Sequence, residues 1–221
     1  MSWNDRMDFD EWEPIYEEIL ADMGYDRSED EGSVRILKAV TLNSDLISGD
    51  EAAERMDDTV TVIGDAPCLE DDIRNKGVEG SVLCSGSAVG RLSAMGIRPD
   101  MVFTDLDGEI GPQIRASSEG AVTFIHAHGD NRDLITAFAS LFKGPVVLTT
   151  QSGPEYTVFD YGGFTDGDRA VCFAEHFGAK RIRLIGFDFD NPMPKDGSDP
   201  AVKLRKLSWA KRIIAGRMNV A

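Results

Sequence analysis

The chain has 221 residues, 42% of them hydrophobic and 28% charged, enough apolar material for one large domain and too much for a disordered chain. Acidic residues (39) outnumber basic ones (23) for a net charge of −16, so the surface repels phosphate backbones and general nucleic-acid binding is disfavoured. No apolar run approaches the roughly 20 residues that a bilayer requires. The N-terminal stretch is too acidic for a signal peptide, and Cys68, Cys84 and Cys172 form no CxxC pair. The expectation is a soluble cytoplasmic protein with no membrane partner, disulfide scaffold or zinc knuckle.

The charge is unevenly spread. Residues 1–58 carry 18 acidic and 5 basic side chains, whereas residues 195–221 carry 7 basic and 2 acidic. Asp (25) exceeds Glu (14), and Arg (15) exceeds Lys (8). Concentrated salt screens self-repulsion on such a surface, so it suits either a protein that works at high salt or an ordinary acidic one.

In chain order, Trp12, Ile15, Tyr16, Ile19 and Leu20 recur at helical spacing, with Gly24 as a C-cap. Val34–Leu46 continues a mixed helical pattern. Residues 1–58 therefore read as an acidic helical cap without a catalytic part. From residue 59 short apolar runs take over: Thr59–Ile63, Ser81–Cys84, Met101–Thr104, Val122–His126, Val146–Thr149 and Arg181–Ile185. Helical stretches lie between them, at Leu69–Lys76, Ala88–Met95, Ile110–Ser118, Asn131–Phe142 and Arg169–Phe177. This alternation predicts an α/β domain over 59–221, with a Rossmann-like, largely parallel sheet flanked by helices. Residues 190–200 read as a loop, and a basic amphipathic helix at about Ala201–Arg217 closes the chain.

Polar clusters follow the apolar runs, at the carboxyl ends of the strands where ligands bind in such sheets. The sharpest is Thr104-Asp105-Leu106-Asp107-Gly108. Two carboxylates one residue apart can offer oxygens to Mg²⁺, or the Asp-Gly pair simply turns the chain. His126-Ala127-His128-Gly129-Asp130-Asn131 opens a helix that Asp130 or Asn131 can cap, leaving N–H groups for a phosphate. No third soft ligand accompanies His126 and His128, which argues against catalytic zinc and for phosphate or base contacts.

In Gly162-Gly163-Phe164-Thr165-Asp166-Gly167-Asp168-Arg169, Thr165 and Asp166 can cap the next helix and Arg169 can fork onto a phosphate. Gly186-Phe187-Asp188-Phe189-Asp190 brings two more acids to the same edge. No Walker loop or GxSxG elbow is present. Phosphoryl-type transfer with Mg²⁺ is what remains.

The stretches GIRPDMVFTDLDG (Gly96–Gly108), HAHGDN (His126–Asn131), GGFTDGDRA (Gly162–Ala170) and GFDFD (Gly186–Asp190), in that order over residues 59–210, resemble the archaeal 6-hydroxymethyl-7,8-dihydropterin diphosphokinases. The fold of that family is similar to that of thiamine pyrophosphokinases. The resemblance implies transfer of the terminal diphosphate of ATP to a reduced pterin, with release of AMP, in folate or tetrahydromethanopterin synthesis. It implies Asp105 and Asp107 as Mg²⁺ ligands, and nucleotide or substrate contacts around His126–Asn131 and Thr165–Arg169.

Arg169 is then the charge aimed at the transferred group. Lys203 and Lys206, on the basic C-terminal helix, fold back over the phosphates or stay solvated. Where the family carries an acid after the second of these strands, this chain has Ser85-Gly86-Ser87-Ala88, and Asp65 or Asp188 is expected to compensate. Competing readings are a thiamine acceptor, a phosphatase of the haloacid-dehalogenase type built on Asp-Leu-Asp-Gly, and a non-catalytic nucleotide binder. The number of metal ions and the oligomeric state, a homo-oligomer included, stay open.

Overall fold

Five runs between residues 59 and 150 mix apolar side chains with small hydroxyl residues and contain no Asp, Glu, Lys or Arg, a pattern suited to strands buried on both faces. In the computed structural model, which describes residues 9–193, 199–217 and 220, each of them is a strand. They are β2 (Thr59–Ile63), β3 (Ser81–Ser85), β4 (Met101–Thr104), β5 (Val122–Ala127) and β6 (Pro145–Thr150). With β1 (Asp45–Leu46) and β7 (Arg181–Ile185) they form one seven-stranded sheet, in the order β1-β6-β5-β4-β3-β2-β7. Every pairing in it is parallel.

The helices α4 (Leu69–Lys76), α5 (Val89–Ala94), α6 (Ile110–Ser118) and α7 (Arg132–Phe138) link β2 through β6. Each step moves the same way across the sheet, so right-handed crossovers place all four helices on one face. Val34 and Leu37 of α2 (Arg27–Val40) pack on that face with Ile125 and Leu148. The step from β6 back to β7 reverses direction and puts α8 (Asp166–His176) on the other face. There Met101, Phe103, Val122 and Phe124 meet Phe173. The Phe103 and Phe124 rings stack 4.2 Å apart, and Phe173 lies edge-on to Phe124 at 4.6 Å. Truncating Phe173 to Ala at this contact is expected to cost about 3–5 kcal/mol.

Both ends of the chain close over α8. Trp12, Tyr16, Ile19 and Leu20 of α1 (Phe9–Met23) pack with Phe164, Cys172 and, from α9 (Pro200–Ala215), Trp209 and Ile213. The uneven charge finds its explanation here. Arg205 pairs with Asp22 at 2.8 Å and Arg212 with Glu18 at 2.6 Å, so the basic C-terminal helix lies on the acidic N-terminal one.

Most bounds lie within two residues of the expected ones; the larger departures are at the second helix, at α8, and in the expected Asn131–Phe142 helix, of which α7 covers Arg132–Phe138 and a 3₁₀ turn Ala139–Leu141. The helix expected to run to Leu46 ends at Val40, and Asp45–Leu46 pairs with Pro145 and Val146 as an edge strand. Both residues of that strand are exposed, so no alternation betrays it. Helix α8 starts three residues earlier than the apolar pattern indicates, because Asp168 accepts the backbone N–H groups of Phe164 and Thr165 at 2.6 and 2.8 Å and fixes its first turn. Within the 190–200 loop, residues 194–198 lie outside the described residues. Among the described residues no helix is long and apolar enough to cross a membrane.

Candidate active site

The turn after β4 brings Asp105 and Asp107 to the carboxyl edge of the sheet by an unusual backbone path. Leu106, between them, has φ of 67° and is the one non-glycine described residue in the left-handed region. That conformation costs about 1–2 kcal/mol. It is offset by burial of the Leu106 side chain against Ile125 and Ile135 and by a bond from the Leu106 N–H to Thr104 Oγ1 at 2.8 Å. The Thr104 hydroxyl donates to Gln113 Oε1 at 2.7 Å, and Gln113 Nε2 donates to the Asp107 carbonyl at 3.2 Å. Strain held this firmly at a strand end is a mark of function.

His128 attaches to this turn. Its Nδ1 accepts the Asp130 N–H at 3.3 Å, which leaves Nε2 as the donor toward Asp105 Oδ2, 3.3 Å away. Burial pushes the Asp105 carboxyl up, but the His128 bond and the Arg169 charge outweigh it and hold it below the usual range. Asn131 ties the two loops together, donating to the carbonyls of Asp105 at 2.9 Å and His126 at 2.7 Å. It therefore staples the strand ends and does not cap α7, as the motif had suggested. The exposed Asp130 offers its N–H to His128 instead of acting as a cap.

Arg169 and Asp166 enter from α8. The φ of +94° at Gly163 and its close approach to Arg169, whose Cα would lie 2.6 Å from any added Cβ, let the glycine loop fold onto the helix start. Asp166 lies close to the Gly86 backbone N–H, so an acid from α8 stands beside the strand end at Ser85–Ser87. Burial, then Asp105 and Asp107, push its carboxyl well above the usual range.

Arg169 is buried. It donates to Asp166 at 3.2 Å, to the Phe164 carbonyl at 2.7 Å and to Gln151 Oε1 at 3.4 Å. The fork expected to face a phosphate is thus turned onto protein groups, because the buried acids at this edge demand a countercharge. Among the described residues, Arg169 Nε and His126 Nε2 are buried without a hydrogen-bond partner. The His126 Nδ1 lies 3.0 Å from Thr149 Oγ1. Burial, then Arg169 and His128, hold His126 well below the ordinary histidine range.

Other expected residues stand apart. The Thr165 hydroxyl is spent on Asp168. Asp188 folds onto its own loop, accepting from the N–H groups of Asp190 and Asn191 at 3.0 Å each. Asp65 pairs with Arg91 at 2.8 Å. Besides Arg91, Asp65 lies against the Ser87 side chain, so it and Asp166 flank the Ser85–Ser87 turn, while Asp188 is engaged by its own loop. Lys203 donates to the Met193 carbonyl at 2.8 Å and its charge reaches Asp65. The Lys206 ammonium lies 5.8 Å from the rings of both Tyr25 and Phe164, where the apolar wall of the glycine loop holds it.

Two residues of this edge escaped the motifs, Asp30 of α2 and Gln151 after β6. Asp30 accepts from the Tyr16 hydroxyl at 2.7 Å, the Gly129 N–H at 2.6 Å and Gln151 Nε2 at 2.9 Å. Asp30 falls between the two helical patterns read from the sequence and Gln151 just past an apolar run, so neither belongs to a motif.

The fold and this edge define an α/β protein of the open parallel-sheet class, with acids and an arginine gathered where the strands end. The chain belongs to the 6-hydroxymethylpterin diphosphokinase MptE-like family, whose model matches residues 37–193. It is 37% identical to the 6-hydroxymethyl-7,8-dihydropterin pyrophosphokinase of Pyrococcus furiosus, over 96% of this chain and 95% of that one. It is 34% identical to the protein of the same name from Methanothermobacter thermautotrophicus, over 94% of each chain. Identity to that of Methanocaldococcus jannaschii is 30%, over 94% of this chain and 95% of that one.

Proposed function

We propose that this chain transfers a diphosphate group from ATP to the hydroxymethyl oxygen of 6-hydroxymethyl-7,8-dihydropterin and releases AMP. The observation that carries this reading is the likeness, along almost the whole chain, to relatives named for that activity. The site supports it. Acids, buried donors and an arginine meet at one sheet edge, and no nucleophile–base pair of the kind used in covalent catalysis emerges from the motifs there.

Asp105 and Asp107 are the residues that would hold Mg²⁺. All their donors are carboxylate oxygens, which suit this ion, and the crowding that pushes Asp166 upward is what a divalent cation relieves. When bound, the ion neutralises phosphate oxygens of ATP. The protein's own part is positioning. His128 and the Leu106 turn fix the direction of the Asp105 carboxylate, and Arg169 places a buried positive charge beside the path of the transferred group. His126, Asn131 and the glycine loop shape the seat. In the reaction the pterin hydroxyl oxygen bonds to the β phosphorus as the bond from that phosphorus to the oxygen bridging to the α phosphate breaks, AMP leaves, and the hydroxyl proton is released to solvent. A loose transition state of this kind needs position and electrostatics more than a strong base.

The test is incubation of the purified protein with ATP, Mg²⁺ and either 6-hydroxymethyl-7,8-dihydropterin or thiamine, with product masses read out. A diphosphorylated pterin with no thiamine diphosphate supports the reading. Thiamine diphosphate alone, or orthophosphate release without an acceptor, overturns it.

A further inference from the structure

The N-terminal segment makes an unexpected connection to the acids and the arginine. Asp30 is 3% exposed and sits on α2, far in sequence from every strand-end motif. Its Oδ1 takes the Gly129 N–H at 2.6 Å, and Gly129 directly follows His128, the partner of Asp105. Its Oδ2 takes Gln151 Nε2 at 2.9 Å, and the other end of that amide, Oε1, accepts from Arg169 at 3.4 Å. The third donor to Asp30, the Tyr16 hydroxyl, and the Trp12 indole N–H, which donates to the Gln151 carbonyl at 2.9 Å, both come from α1. One buried carboxylate thus joins the loops after β5 and β6, and through them the two sides of the site.

Such a joint has a fixed polarity. A carboxylate only accepts, so Gln151 must turn its amide nitrogen toward Asp30 and its oxygen toward Arg169. We propose that Asp30 and Gln151 are positioning residues, which hold the Arg169 guanidinium and the His128 loop in register for the reaction. On this view the acidic N-terminal segment is part of the catalytic frame. The proposal rests on the diphosphokinase reading; a wild-type protein without that activity would refute the reading itself, whereas active wild type with indifferent variants would refute only the proposal.

The polarity supplies the test. Asp30→Asn presents an amide nitrogen to Gln151. Either Gln151 Nε2 loses its acceptor, or the amide flips and Arg169 loses its own. Gln151→Glu keeps an acceptor for Arg169 but sets two carboxylates against each other. Combined, the two changes restore the joint. The new amide nitrogen at position 30 donates to the new carboxylate at position 151, and that carboxylate accepts from Arg169. The amide oxygen at position 30 still accepts from Gly129.

Steady-state kinetics are measured well below the melting temperature of each variant. Each single variant is expected to lose tenfold or more in kcat, with KM for ATP within threefold of wild type. The double variant is expected to recover to within threefold of the wild-type kcat. Folded single variants with kcat within twofold of wild type, or a double variant no faster than the slower single one, would overturn the proposal. If Asp30→Asn does not fold, Gln151→Leu decides the point. It removes the link between Asp30 and Arg169 while leaving the Asp30 bonds to Gly129 and Tyr16 in place; a tenfold loss of kcat supports the positioning role and an unchanged kcat refutes it.

Discussion

His128 Nε2 lies 3.3 Å from Asp105 Oδ2, while the other ring nitrogen is occupied by the Asp130 N–H. The imidazole is therefore fixed as a donor to the carboxylate, and Asp105 is oriented from the β5 loop as well as from its own turn. If Asp105 and Asp107 are the acids that engage ATP with its cation, Asp105→Asn and Asp107→Asn should each lower turnover on the order of 100-fold or more. Circular dichroism should show the fold retained. Near-normal turnover in both folded variants would remove the two acids from the mechanism.

Leu106 offers a test of the strained turn. Leu106→Ala loses the buried side chain and keeps the left-handed backbone, whereas Leu106→Gly loses the same side chain but adopts that backbone at no steric cost. The glycine variant should be the more stable of the two by about 1 kcal/mol, the reverse of the usual order of these residues. Chemical denaturation of the two proteins measures the difference. An alanine variant as stable as the glycine one would mean that the turn relaxes in solution.

Arg91 bridges Glu70 and Asp65 at the start of α4, and its hydrogen bonds to Glu70 lower that carboxyl to about 2. The unfolded value is about 4.3. The contact therefore stabilises the fold above about pH 4.3, and this contribution is lost as the pH falls toward 2. Glu70→Gln should flatten the acid limb of stability in that window and leave its shape near neutrality unchanged. Glu70 is partly exposed, its side chain at 40%, so the difference should shrink as salt is added. An unaltered acid limb in the variant would contradict the assignment.

The −16 net charge bears on stability in salt. Pairs such as Arg212–Glu18 are exposed and contribute little each, whereas repulsion among the surplus acids of residues 1–58 is long-ranged and fully subject to screening. The melting temperature should rise from low to molar KCl. A flat or falling profile would show that the acidic surface is not tuned to salt.

Much of this was legible in the sequence, for physical reasons. Inner strands such as β2 and β4 read as short charge-free runs and matched their expected bounds at both ends, as did the edge strand β7, where Arg181 and Arg183 alternate with apolar residues, and glycines and acids behind such runs marked the site edge. Strand β1 was invisible because two exposed residues at a sheet edge carry no period. Asp166 read as a helix cap, since only the folded chain brings α8 against Gly86. Asp30 and Gln151 were hidden for the same reason. The bonds from Asp30 to Gly129 and Gln151 span 99 and 121 residues, and such bonds leave no local spacing to read. The inward turn of Arg169 was equally hidden, because its cause is the burial of acids drawn from different strand ends.

The most direct measurement of the central claim is the nucleotide product. With ATP, Mg²⁺ and 6-hydroxymethyl-7,8-dihydropterin, attack at the β phosphorus predicts AMP and pterin diphosphate in equal amounts, resolved by anion-exchange chromatography and mass. ADP as the sole nucleotide product, with a pterin monophosphate or none, would place the attack at the γ phosphorus and contradict diphosphate transfer.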